Sequence, residues 1–291
     1  MSLKPASPKP AAWNAGRALS IGVYYGVMGL LAIPFVFPTL WMFSAALKTN
    51  EQIFASPLSI LPSTVHWGNF AEVFRDYPFA TQYFNSVYIA VLVTTLTIGL
   101  AALAGYGFSR LRFPGRDVLF IVCLSVMMLP NEAIALPQFV LFRVFGATNT
   151  HVPIILLQVF GGTGALAVFL MRQHFLTIPK EIDEAALLDG LDRWGIFWRV
   201  LLPLSKPSLA AVGIFAFLNS WNDYFNPLIY LNAQERFTLP LALQSFTDPL
   251  GGVFWNLTLT ASSLTTLPLL IAFLVAQRQF IETLASSGIK G

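Results

Sequence analysis

The chain has 291 residues, of which 56% are apolar and only 11% charged, against roughly a quarter charged in a typical soluble domain. That composition places it in a bilayer, and the formal charge of +3 is spread between apolar runs, so it signals membrane topology and not nucleic-acid binding. One cysteine, Cys123, excludes an internal disulfide and a cysteine metal cluster.

Residues 1–16 are rich in proline, carry Lys4 and Lys9 and no acid, and read as a disordered cytoplasmic tail. Residues 20–47 then run 28 positions without a charge. That is too long for a signal-peptide core, so a retained first span is expected, kinked or broken near Pro34 and Pro38. Residues 48–83 are mixed, and PLSILPSTVHWGNFAEVF reads as a turn followed by a short amphipathic helix. Residues 84–108 are uncharged for 25 positions and rich in small residues, which allow close helix packing in lipid. They form the second span. Arg110, Arg112 and Arg116 mark a short inside loop with the turn pair Pro114-Gly115.

A third span, 118–142, is interrupted by Pro130, Asn131, Glu132 and Pro137, and a fourth, 152–171, carries Gly161, Gly162 and Gly164. The fifth covers 208–231 with one acid, Asp223, and the sixth covers 257–277 before a final tail. Each has about the 20 residues a span requires. If both termini are cytoplasmic, thirteen Lys and Arg fall in inside segments and four outside. The positive-inside rule then fixes the orientation.

The polar stretch 177–207 lies between two spans and so at a membrane surface. Pro179 suits a first helical turn, and Glu181, Asp183 and Glu184 place negative charge at the positive end of the helix dipole. Ile182, Ala185, Ala186 and Leu188 give an apolar face, and Asp189-Gly190 stops the helix. A second helix starts at Asp192, with Ile196, Phe197, Val200 and Leu201 at helical spacing, and Pro203 and Pro207 end the segment. By pattern alone this is either an amphipathic loop lying on lipid or a docking element.

No G-x-x-x-x-G-K-[ST] pattern occurs, so nucleotide phosphates are not held here in that way. His66, His151 and His174 lack metal-ligand spacing, no nucleophile-base arrangement stands out, and no enzyme activity is expected. Intramembrane acids suggest a solute path or a buried partner. Glu132 sits at the expected helix break, and Asp223 is flanked by Trp221, Asn222 and Tyr224, an aromatic, amide and acid grouping suited to sugars. These groups either line a path or bond to neighbouring helices.

Glu184-Ala185-Ala186, Asp189-Gly190, Phe197 and Leu202-Pro203-Leu204, with Pro207 beyond, resemble the EAA motif of ABC importer permease subunits. Leu191 departs from the small residue usual there, and Val200 from Ile. SWNDYFNPLIYL with the following TLPLAL, MMLPNEAIALPQFVLF, YGFSRLRFPGRDVLF and the ending SSGIKG are similar to the carbohydrate-uptake, MalG-like branch. That ending departs from the more usual Gly-Ala-Val-Lys-Gly. The resemblance implies an all-α, polytopic fold of six transmembrane helices, the type I ABC importer permease fold with a cytoplasmic coupling helix. It divides the chain into a tail at 1–19, a first span and outer segment at 20–83, a core of five spans at 84–280 with coupling helices at 177–203, and a tail at 281–291.

The function so implied is that of a permease subunit in the membrane of a bacterial or archaeal cell, coupling ATP hydrolysis on a separate subunit to alternating access for a carbohydrate. ATP and Mg would sit on that partner and no cofactor on this chain. The implied partners are a homologous second permease, two copies of a cytoplasmic ATPase, an extracytoplasmic solute-binding protein and the lipid bilayer, with no nucleic acid. ATPase coupling is expected of Glu184, Ala185, Ala186, Asp189, Gly190, Phe197 and Pro203. Trp221, Asn222, Asp223, Tyr224 and Glu132 are candidates for the solute path. The outer loop with Phe246, Asp248, Pro249, Gly251 and Gly252 would enter the binding protein's cleft. Two alternatives are a permease for a glycerol phosphate compound and an ion-coupled secondary carrier.

Overall fold

The structure, a computed structural model, describes residues 15–247 and 251–288, with side chains placed over 20–247 and 251–274. Most of the expected N-terminal tail, Asp248 and Pro249 in the outer loop, and the last three residues of the SSGIKG ending lie outside the described residues. Helix α1 (Ala15–Ala45) runs unbroken through Pro34 and Pro38, where a kink or break was expected. A proline costs one helical hydrogen bond, but an open turn in hydrocarbon would free several backbone groups with no water to bind them. The most apolar stretch of α1 buries nothing against the rest of the chain. Its C-terminal end is held by Thr260, whose hydroxyl donates to the Ala46 carbonyl at 3.0 Å.

Short helices α2 (Asn50–Ala55) and α3 (Gly68–Arg75) follow, the latter being the amphipathic helix expected before the second span. Asn69 ties this region together by donating to the carbonyls of Ala46 and Lys48 and accepting from Asn256. Helix α4 (Phe79–Arg110) has 32 residues, about 48 Å at 1.5 Å per residue, so it projects beyond a hydrocarbon core of roughly 30 Å. It is the central post of the molecule.

The third span is bent, not merely interrupted. Helix α5 (Arg116–Ser125) continues as a 3₁₀ turn to Met128, and α6 (Asn131–Val144) leaves at 103°. Pro130 causes this, because a residue preceding proline is pushed into extended backbone, and Leu129 has ψ 117°. The fourth span divides into α7 (Val152–Phe160) and α8 (Gly162–Thr177) around an extended Gly161. The polar stretch forms α9 (Lys180–Leu188), then α10 (Arg193–Gly195), a π-helical turn Ile196–Leu201 and α11 (Leu202–Leu204), which run on from one another. Helix α12 (Lys206–Trp221) turns away from them by 76°.

The fifth span also breaks, at Asn222, before α13 (Phe225–Tyr230). An outer loop with α14 (Leu239–Ala242) leads to α15 (Trp255–Gly288). That last helix continues through residues 281–288, the described part of the expected C-terminal tail. Among the described residues, four helices are long and apolar enough to cross a membrane, and two bent pairs bring the total to six.

Helices α4, α8 and α12 pack on one another. Where α4 meets α8, a Cβ at Gly105 would stand 2.7 Å from Met171 Cβ, so this close approach requires glycine. Tyr106, Met171, Phe175, Ile196, Phe197 and Leu201 share one buried cluster there, which joins the spans to the polar stretch.

Candidate functional site

Helix α9 ends as its sequence dictates. Gly190 has φ +84°, its N–H donates to the Leu187 carbonyl, and the Leu191 N–H donates to that of Ala186. This is the glycine-centred pair of bonds that satisfies a helix's last carbonyls. The next helix is opened by Asp192, whose carboxylate accepts from the Gly195 N–H at 2.7 Å. The stretch is then fastened to the spans at three points. Tyr106 donates to the Arg193 carbonyl at 3.0 Å, Arg110 donates to the Ile178 carbonyl at 2.7 Å, and the Arg110 guanidinium lies 3.3 Å from the Asp183 carboxylate. In that pair the side chains are 4% and 19% exposed. Burial pushes the Asp183 carboxyl above the usual range, with Arg110 opposing, so desolvation outweighs the attraction.

The apolar face of α9 differs from the expected one. Ala186 is buried and Ile182 half-buried, whereas Ala185 and Leu188 are exposed, Leu188 by 90%. The Arg110–Asp183 pair sets this rotation, since Asp183 must point inward and carries Ile182 and Ala186 with it at helical spacing. Ala186 and Phe197 are therefore anchors in the core. Glu184, Ala185, Asp189, Gly190 and Pro203 are exposed. Beside Leu188, sequence reasoning missed the other members of an exposed apolar group: Leu187, Trp194 at 60% and Trp198 at 58%. The i, i+4 spacing of two tryptophans was the available signal.

At the other end of α12 the broken spans surround a cavity of about 600 Å³. Four of the five expected path residues line it: Glu132, Asn222, Asp223 and Tyr224, joined by Asn131, Asn219 and Asn226. Asp223 takes hydrogen bonds from Gln158 at 2.6 Å and from the Asn226 amide side chain at 2.9 Å and backbone N–H at 3.2 Å. It thereby closes the break before α13. Trp221 is not on this cavity. It is buried, donates to the Thr265 carbonyl of α15 at 3.2 Å and stacks on Phe217, because the helical turn before Asn222 directs it toward α15 and α4.

The outer loop is packed more closely than a projecting arm. Phe246 is buried against Tyr77 and Phe79, so it anchors the loop and is not presented to a partner. Beyond it Thr247 and Val253 form an isolated bridge, with exposed Gly251 and Gly252 between them.

The model of the family described as binding-protein-dependent transport system inner membrane component matches residues 97–281, which include α5 to α14 and the C-terminal part of α4. The chain belongs to that family. This permease is 34% identical over 259 residues to the arabinooligosaccharides transport system permease protein AraQ of Halalkalibacterium halodurans, covering 88% of this chain and 91% of that one. It is 31% identical to the sn-glycerol-3-phosphate transport system permease protein UgpE of Pectobacterium atrosepticum, over 90% and 94% of the two chains. The permease fold itself is matched by a crystal structure of a bacterial ABC transporter involved in the import of the acidic polysaccharide alginate, with TM-score 0.77, 23% identity and coverage of 93% and 99%. The chain is thus a multi-pass membrane permease of an ABC importer, and the self-contained ion-coupled carrier is set aside.

Proposed function

We propose that this permease carries a carbohydrate and that Glu132, Asn222, Asp223 and Tyr224 lie on its solute path. The continuity of the chain from the polar stretch to the cavity carries this reading. Helix α12 begins at Lys206, beside the exposed surface of α9 to α11, and ends at Trp221, beside the cavity. Its 16 residues span about 24 Å. A displacement of the stretch at one end is therefore delivered to the lining at the other through a rigid element. ATP, with Mg²⁺, is hydrolysed on two copies of a partner ATPase, one of which seats against Glu184, Ala185, Leu187 and Leu188. Closure of that pair turns the cavity outward, and reopening turns it inward. A homologous second permease completes the path, both termini face the cytoplasm, and an extracytoplasmic binding protein meets the outer loop through Asp248, Pro249, Gly251 and Gly252.

The cavity supports a neutral solute over a glycerol phosphate compound. Its lining has two carboxyl groups, four asparagines and no basic side chain, so nothing in it pairs with the charge of an anionic phosphate. The relatives named above pair with both solute classes, and the lining chemistry favours the sugar. Purified importer in vesicles, supplied with its binding protein and internal ATP, should take up a labelled oligosaccharide. ATP-driven uptake of sn-glycerol 3-phosphate with none of any carbohydrate would contradict the proposal.

A further inference from the structure

Adjoining the main cavity is a second pocket of about 270 Å³, which shares Asn131, Phe215, Asn219 and Asn226 with its neighbours and adds Gln158 and Thr163. We infer that this pocket is a subsite within this chain for one sugar ring, with the Gln158 side-chain oxygen as its hydrogen-bond acceptor and Asp223 as the residue that positions Gln158. The inference rests on the carbohydrate reading above and deepens it.

The pocket exists because three spans fail to continue at one level. The third bends at Pro130, the fourth opens at Gly161 and the fifth ends at Trp221. Its volume has room for roughly nine waters at about 30 Å³ each, which suits a single ring.

Gln158 is 5% exposed. Its amide nitrogen donates to the Asp223 carboxyl at 2.6 Å. The oxygen is then turned from Asp223, and it is buried without a partner. A buried acceptor left unpaired is costly, and a solute hydroxyl is the kind of group that satisfies it. On the facing wall Thr163 donates to the Asn219 oxygen at 3.0 Å, which leaves the Asn219 nitrogen as a donor. An acceptor on one wall and a donor on the other match a hydroxyl, which does both. A phosphate dianion offers no proton to Gln158. Phe215 supplies an apolar face for the C–H side of a ring, as it lines both cavities. Asp223 is engaged by Gln158 and Asn226 on both oxygens, so it acts through Gln158 and not on solute.

The test uses the complete importer with its binding protein in vesicles and a series of labelled neutral oligosaccharides of two to five rings. Wild-type uptake of at least one is required first, and its absence would refute the carbohydrate reading itself. Gln158→Leu and Asn219→Leu should each lower uptake of that sugar by about tenfold or more, while ATPase stimulation by loaded binding protein stays within about twofold. Asn219→Leu removes the donor amide from the pocket without touching the Asp223 contacts, so it remains informative if Gln158→Leu does not assemble. Asp223→Asn, which still accepts from Gln158, should retain far more uptake than Asp223→Leu. Wild-type rate and half-saturation in Asn219→Leu, or equal behaviour of the two Asp223 variants, would show that the pocket holds water only.

Discussion

Removing the carboxylate of Asp183 should release α9 from the spans. The Arg110 side chain is 4% exposed, its guanidinium lies 3.3 Å from Asp183, and its remaining hydrogen bond goes to the Ile178 carbonyl. Taking away one member of such a pair leaves a buried charge without compensation, which costs about 3–5 kcal/mol. The retained Ile178 bond puts the value toward the lower end, about 3 kcal/mol, or on the order of 100-fold in the docked-to-released ratio of α9. Arg110→Met should cost less, because the Asp183 carboxyl is already raised by burial and can take up a proton. Arg110→Met with Asp183→Leu should restore docking nearly to the wild-type level, since a buried pair gains little over apolar side chains of similar size. Protease cleavage between residues 180 and 192 in purified importer, measured with ATPase stimulation, reads the release directly. Wild-type protection in Asp183→Ala, or a double variant no better than that single one, would refute the role of the pair.

Trp221→Ala should reduce expression and thermal stability, by about 3–5 kcal/mol for a buried aromatic, because Trp221 packs between α4 and α15; a stable variant with altered solute affinity would return Trp221 to the path. Deleting residues 248–251 while keeping Phe246 and Val253 should leave assembly intact and abolish stimulation by loaded binding protein, and full stimulation would make the loop a passive connector.

The spans were legible because a charge-free run of about 20 residues matches the thickness of the hydrocarbon core and is seldom needed elsewhere, and the bend at Pro130 was legible because proline removes a donor. The break at Asn222 was less visible, since no glycine or proline precedes it. Its signal was the Asp223–Asn226 spacing, in which a carboxylate can cap the turn that follows. The placements of Trp221 and Phe246 were not legible. Both are decided by contacts with distant segments, Thr265 in one case and Phe79 in the other. The rotation of α9 depends in the same way on Arg110, more than seventy positions earlier in the chain. Local periodicity offered two faces there, and a long-range ion pair selected between them.

Transmission from the polar stretch to the cavity is tested most directly at Gly190. Its φ of +84° costs any other residue about 1–2 kcal/mol, a β-branched one most, while no atom lies within 4 Å of a Cβ built there. Gly190→Val should therefore alter the turn between α9 and α10 and disturb neither the spans nor the cavity. With Glu184→Lys as its companion, since that exposed carboxylate is the one proposed to meet the ATPase, the measurement is ATP-driven solute uptake and ATPase stimulation in reconstituted vesicles. Expression, insertion and cavity-facing solute contacts should be unchanged and ATP-driven uptake lost in both variants. Normal ATP-driven uptake in both would contradict transmission through this stretch.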